Sequence, residues 1–372
     1  MNIVKYPGGK ERELGIIQKY FPEAINDYYE PFVGGGAVYF DINADHYFIN
    51  DFSNDLMNLY QVVANNDPEF FQSMEEINEA WKAIENLDTR DLYDTYIAYR
   101  DSFLTEEDMV VTVNRIVKQN KKEYINLVSP LNCGSYSFVT AELNSTIPKK
   151  FKRMKVLEFT KKHISDEDVK SNIVGIFKAM FYMYIRDLYN YPGHYTNGFK
   201  AMLYLFIRDM CYSSMFRFNA EGKFNVPYGG ISYNKKNYDN IFRKYDNPNI
   251  LSKMKKTTFG NSDYIDFLKK YEPQHKDFMF VDPPYDSSFS TYDKSEFNQK
   301  AQEKLAAYLI KECKCNFMLD IKYTEFIEEL YPIGTSCRNG KEINVRLFDK
   351  NYSVSFMNRN NKQAQHMLIT NY

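Results

Sequence analysis

Asp282-Pro283-Pro284-Tyr285 places a carboxylate, a proline-freed backbone carbonyl and an aromatic ring within four residues. The carboxylate and the carbonyl can both accept hydrogen bonds from an exocyclic amine, while the ring stacks on the base that carries it. An amine held this way keeps its lone pair free to attack a methyl donor. The same four residues also serve as a plain strand-ending turn, so the motif counts only in a structural context.

That context begins with the run Phe278-Met279-Phe280-Val281 directly before the motif. A continuous apolar run reads as a buried parallel strand, and two prolines then stop its ladder. Open α/β sheets bind ligands at the carboxyl ends of such strands. Near the N-terminus stands Tyr6-Pro7-Gly8-Gly9-Lys10, followed by Tyr28-Tyr29-Glu30-Pro31-Phe32-Val33-Gly34-Gly35-Gly36. The second segment reads as a strand, a glycine turn open to close approach, and a helix from about Ala37. Such a turn implies a nucleotide-like cofactor. Tyr47-Phe48-Ile49 is a further short strand, and Asp51 follows Gly34 by 17 residues. That spacing is close to the one at which doubly wound folds put an acid on a ribose. The competing role for Asp51 is to cap the helix begun by Ser53-Asn54-Asp55.

Together these segments resemble the Dam-type (D12 class, alpha group) DNA adenine N6-methyltransferases, in which the cofactor motif precedes the recognition region and the catalytic motif follows it. Tyr6 to Lys10, Phe32-x-Gly34-x-Gly36, Asn50-Asp51, Asn261-Ser262-Asp263-Tyr264 and Asp282 to Tyr285 stand in the family's order. Arg217-Phe218-Asn219-x-x-Gly222-x-Phe224-Asn225-Val226-Pro227-Tyr228-Gly229 resembles the family's DNA-reading hairpin. The similarity covers roughly residues 1–62 and 199–372.

The resemblance implies a Rossmann-like α/β methyltransferase fold with a mixed seven-stranded sheet and an inserted, mainly helical target-recognition domain carrying a β-hairpin. The catalytic, S-adenosylmethionine-binding domain is expected over 1–62 and 240–372, and the recognition domain over 63–239. By the same likeness Tyr6, Lys10, Phe32, Gly34, Gly36, Asp51, Asp263, Tyr264 and Asp282 would surround the S-adenosylmethionine. Lys10 would neutralise its methionine carboxylate or a neighbouring acid. Asp282, Pro283, Pro284 and Tyr285 would act on a flipped-out adenine, and Lys5, Met215, Arg217, Asn225 and Pro227 would meet double-stranded DNA. No metal is expected. Ser213-Ser214 and Gly230-Ile231 stand where members that read GATC usually have Asn-Gly and Arg-Tyr, which weighs against carrying over that target.

At 372 residues the chain has room for one large core and an inserted domain, and its net charge of −2 does not announce a polyanion partner. Five cations fall within Lys149–Lys155, and Lys253, Lys255 and Lys256 form a second group. Such runs are more often solvated faces than phosphate contacts. The five cysteines, Cys133, Cys211, Cys313, Cys315 and Cys337, are odd in number and lack paired metal spacing, so reduced thiols are expected. Nothing at the N-terminus reads as a signal peptide, and no apolar stretch approaches the ~20 residues that span a bilayer. A soluble, cytoplasmic protein is expected, monomeric or weakly dimeric, with a cognate restriction endonuclease as a candidate partner.

From Pro68 the sequence turns helical and charged, with an amphipathic run through Trp81 and Ile84. Within this insert Phe177–Asp187 recurs as Phe199–Asp209 with eight of eleven positions identical. Tyr191-Pro192-Gly193 between the copies reads as the turn of an αα-hairpin. The segment after Asp286, through Tyr292, reads as a loop able to close over a base. The rival functions are a cytosine-N4 methyltransferase, a DNA-binding protein without catalysis, and a dinucleotide-dependent oxidoreductase, which leaves Asp282–Tyr285 and the Arg217 hairpin without a role.

Overall fold

The structure is a computed structural model, and the description covers residues 2–6, 8–131, 136–160, 163–191, 193–236, 239–284, 297–351 and 363–372. The catalytic motif's Tyr285, the loop expected over 286–292, Pro192 and Cys133 lie outside the described residues. The chain divides into two compact units, Met1–Asn65 with Tyr245–Tyr372, and Asn66–Lys244.

The first unit is built on seven strands: β1 (Asp27–Glu30), β2 (His46–Asn50), β3 (Thr257–Gly260), β4 (Phe278–Val281), β5 (Asn316–Lys322), β6 (Asn344–Asn351) and β7 (Gln363–Thr370). Their order is β3-β2-β1-β4-β5-β7-β6. The first five run parallel, whereas β7 lies antiparallel between β5 and β6. The mixed seven-stranded sheet matches the expected class. β3 is a strand the sequence pattern did not reveal.

β4 is buried at all four positions, as a strand covered on both faces must be. Leu268, Val281, Leu309, Leu319 and Ile369 belong to the core on one face, and burying each such side chain contributes about 1.5–3 kcal/mol. The order β1-β4 with β2 on the other flank means that the chain changes direction of travel beside β1. The carboxyl ends of β1, β2 and β4 therefore open on a topological switch point, where ligands bind in such sheets.

The second unit is helical. The helix Pro68–Ala83 starts at the expected proline, with Asp67 accepting from the amides of Glu69 and Phe70. The two repeat copies lie on the helices Asp166–Asn190 and Asn197–Met210. These pack together through Phe181 and Phe206, with ring centroids 5.7 Å apart.

Candidate active site

The glycine turn after β1 is held from both sides. The Gly34 amide donates to Asp51 Oδ2 at 3.0 Å, and Tyr60 Oη donates to the Gly34 carbonyl at 3.0 Å. Gly34 and Gly36 adopt φ of +49° and +77°, in the left-handed region that favours glycine. A Cβ on Gly36 would stand 2.4 Å from Tyr60 Oη, and one on Gly34 would stand 3.1 Å from the Tyr6 ring. Tyr6 thus lies against the turn, and Ile3 anchors its segment by donating from its amide to the Gly35 carbonyl. Lys5 is exposed beside it.

Asp51 has a second task. Its Oδ1 accepts from the Ser53 amide at 3.0 Å, while the cap of the helix Asn54–Ala64 is Ser53 itself. Asp51 is therefore the fastener of the glycine turn rather than the cap of that helix.

Asn50, quoted with Asp51 as a motif but given no role of its own, ties three strand ends together. Its Nδ2 donates to the Pro31 and Ser262 carbonyls, and its Oδ1 accepts from the Ser262 amide. Asn261 adds a bond from its side chain to the Asp51 carbonyl. Asp263 caps the helix Tyr264–Tyr271 by accepting from the Ile265 amide at 2.9 Å. Beside it Phe32, Tyr264 and Phe297 form a three-ring cluster with centroids 5.0 to 5.7 Å apart. Phe297 was not anticipated, because nothing near it in sequence marks it.

Asp282 leaves the end of β4 with its carboxylate only partly exposed, and Lys10 Nζ stands 2.9 Å from its Oδ1. Lys10 is itself buried, at 2% exposure. It reaches the neighbouring acid, the second of the two roles expected for it. Pro283 is buried, and the Pro284 carbonyl accepts from Gln302 Nε2 at 3.1 Å, so the helix Gln299–Lys311 pins the motif from below. Glu30, at the end of β1, is buried, and Tyr28 Oη donates to it at 2.7 Å. Burial pushes the Glu30 carboxyl well above the ordinary range, opposed by the Tyr28 bond and reinforced by the negative charge of Asp282.

In the second unit the hairpin forms isolated pairs, Phe218 with Phe224 and Cys211 with Tyr228, in place of two full strands. Asn219 Oδ1 closes the turn by accepting from the amides of Glu221 and Lys223. Side chains alternate along it: Phe216, Phe224 and Val226 are buried, while Arg217 and Pro227 are exposed and Asn225 and Met215 half-buried. Arg217 Nε donates to Asn225 Oδ1 at 3.0 Å, which fixes the direction of the guanidinium.

The repeated helices carry this hairpin. Tyr182 and Arg186 donate to the Val226 carbonyl, and Asn190 bonds both the amide and the carbonyl of Phe224. At the equivalent places in the second copy, Tyr204 and Phe216 are in edge contact and the Arg208 guanidinium lies 4.3 Å from the Phe216 ring centre. Of the cationic runs, Lys152 pairs with Glu106, Lys155 donates to the Tyr99 carbonyl, and Lys253 donates to the carbonyls of Tyr39 and Phe40. Burial pulls the Lys253 ammonium down to about 8. These lysines serve the fold locally. Among the described residues no cluster of three or more His, Cys, Asp or Glu is arranged to hold a metal, and no helix is long and apolar enough to cross a membrane.

Comparison with known proteins fits this geometry. Residues 6–343 match the family described as D12 class N6 adenine-specific DNA methyltransferase. The type II methyltransferase M.CviBI of Paramecium bursaria Chlorella virus NC1A is 24% identical over 364 residues, 94% of this chain and 99% of that protein. The type II methyltransferase M.MjaIII of Methanocaldococcus jannaschii is 25% identical, over 88% of this chain and 86% of its own length. A DNA adenine methylase of Haemophilus influenzae is 43% identical over 63 residues, 17% of this chain and 22% of that protein.

Proposed function

The chain belongs to the D12 class of N6 adenine-specific DNA methyltransferases, and from that premise we propose that Asp282 and the Pro283 carbonyl hold the amino group of the target adenine. The observation that carries the assignment is the placement of Asp282 at the end of β4 against the buried Lys10 ammonium, 2.9 Å away. Lys10 balances the carboxylate's charge and fixes its direction. With its two amino hydrogens accepted by Asp282 and the Pro283 carbonyl, the nitrogen keeps its lone pair for the transfer. Proximity and charge placement of this kind carry the reaction without a covalent enzyme intermediate.

S-adenosylmethionine is the proposed donor, and the residues present fit it. Asp51 is a carboxylate just after β2 that can accept from ribose hydroxyls, the cluster of Phe32, Tyr264 and Phe297 offers a face to an adenine ring, and the Gly34–Gly36 backbone allows close approach. When bound, it supplies an electrophilic methyl carbon. The target adenine cannot present its amine while stacked in a duplex, so extrusion costs a few kcal/mol (roughly) that the protein must recover. Tyr285 is proposed to recover part by stacking, a contact worth about 1–3 kcal/mol.

Unit Asn66–Lys244 is proposed as the target-recognition domain. Arg217 and Asn225 would read a base edge, with Met215 and Pro227 as apolar contacts beside them and Lys5 reaching the DNA from the catalytic unit. The relatives M.CviBI and M.MjaIII are named type II methyltransferases, and by that likeness a cognate restriction endonuclease is the proposed partner, the chain itself acting as a monomer or weak dimer in the cytoplasm.

The test is to incubate the purified protein with unmethylated plasmid and methyl-labelled S-adenosylmethionine, then sequence the product for modified bases. Label on adenine N6 at one short motif is the expected result, and Asp282→Ala should abolish it while DNA binding persists. Methylation undiminished in Asp282→Ala would sink the assignment of that residue.

A further inference from the structure

Behind Lys10 lies a second buried acid. Lys10 Nζ is 3.2 Å from Asp320 Oδ2, and His366 Nδ1 is 3.0 Å from Asp320 Oδ1. Asp320 and His366 are both 0% exposed. In the sheet Leu319 is in register with Val281, so Asp320 on β5 stands beside the residue after β4, which is Asp282. His366, on β7, sits two positions along from Leu368, the register partner of Asp320. Its ring is also packed against Phe348 on β6, with centroids 5.7 Å apart. A continuous chain of close polar contacts therefore runs from β7, through β5 and Lys10, to the catalytic carboxylate.

We propose that Asp320 and His366 are positioning residues for methyl transfer, holding Lys10 so that it in turn holds Asp282 in the orientation that accepts the amine. The proposal rests on the role assigned to Asp282. A lysine ammonium on a flexible four-carbon stem has little directional preference of its own. Two carboxylates, at 2.9 and 3.2 Å, fix where it stands, and His366 fixes the plane of the inner one. Buried ion clusters stabilise little, because desolvation offsets their attraction. The consequence of this one falls on geometry, since a small displacement of a catalytic group costs far more in rate than in binding.

The full-length protein, unmethylated plasmid and S-adenosylmethionine give the test, with single-turnover rate and KM for DNA measured side by side. His366→Leu is expected to slow the single-turnover rate roughly 10–100-fold with KM for DNA nearly unchanged. His366→Asn, whose amide nitrogen can occupy the place of Nδ1, is expected to recover most of the rate, and Asp320→Asn to behave like His366→Leu. A folded His366→Leu protein with the parent rate would overturn the proposal. So would His366→Asn as slow as His366→Leu, which would leave only the ring's volume. Should His366→Leu fail to fold, His366→Asn against His366→Gln decides, because glutamine carries its amide past the Nδ1 position; equal rates overturn the proposal. Asp282→Asn is run alongside. If it methylates at the parent rate, the role of Asp282 itself has failed, whereas an inactive Asp282→Asn with a fully active His366→Leu rejects only the positioning pair.

Discussion

Arg217 carries its guanidinium on the exposed face of the hairpin, with Nε already spent on Asn225 Oδ1. The two terminal nitrogens remain to form the bidentate pair by which arginine reads guanine. Arg217→Ala should therefore weaken binding to the cognate site by about 1–3 kcal/mol while leaving binding to unrelated duplex nearly unchanged. Competition binding between the two DNAs measures this. Equal weakening on both would make Arg217 a phosphate clamp, which positions without specifying. Side chains such as Arg217, Asp282 and Lys10 were legible in the sequence because their chemistry is carried by short motifs. The contacts of Asn50, Gln302, Asp320 and His366 were not, because their partners come from elsewhere in the chain: Asn50 and Ser262 are 212 residues apart, and Asp320 and His366 are 46 apart. A polar residue inside an apolar strand pattern is the one signal that could have marked Asp320 and His366, and it does not name the partner.

At the level of elements, the glycine turn was predicted from its composition, and the structure supplies a physical reason to expect substitutions there to be costly. Gly36 combines a left-handed φ of +77° with a neighbouring hydroxyl 2.4 Å from where a Cβ would stand. That hydroxyl belongs to Tyr60 and holds the Gly34 carbonyl. Gly36→Ala should then cost about 2–3 kcal/mol, from backbone strain plus a lost hydrogen bond. It should also weaken cofactor binding. Chemical denaturation measures the first effect, and Tyr60→Phe in the Gly36→Ala background should recover part of the loss, since it removes the clashing atom. No recovery would place the strain in the backbone or against the Phe40 ring, which stands 3.0 Å from the same point. β3 escaped sequence reasoning because Thr257–Gly260 is a four-residue edge strand, half-buried throughout, with neither an apolar run nor an alternating pattern. The repeat was visible, but its purpose was not. Tyr182 with Arg186, and Tyr204 with Arg208, gain meaning only once both helices are seen against the same hairpin.

Across the whole molecule, the sequence's turn to a charged helical pattern after Tyr60 marked an insertion, and the contact pattern divides the chain after Asn65 and before Tyr245. The first unit is discontinuous: β1 and β2 precede the insertion, and β3, β4 and β5 follow it. Its sheet therefore closes only after residues 66–244 have been made, and β1 pairs with β4 across that whole interval. Every residue proposed to hold S-adenosylmethionine belongs to this unit. Ligand binding stabilises what it binds by RT ln(1 + [L]/Kd), about 2.7 kcal/mol at a hundredfold excess over Kd. Amides that exchange through opening of the unit should slow by about a hundredfold at that excess. With S-adenosylhomocysteine as the probe, hydrogen exchange read by mass spectrometry should thus show strong protection in β1, β2 and β4, while amides in the helices Asp166–Asn190 and Asn197–Met210 keep their rates. Equal protection in both units would mean that they open as one cooperative body. Protection confined to the second unit would move the cofactor away from the glycine turn and away from Asp282.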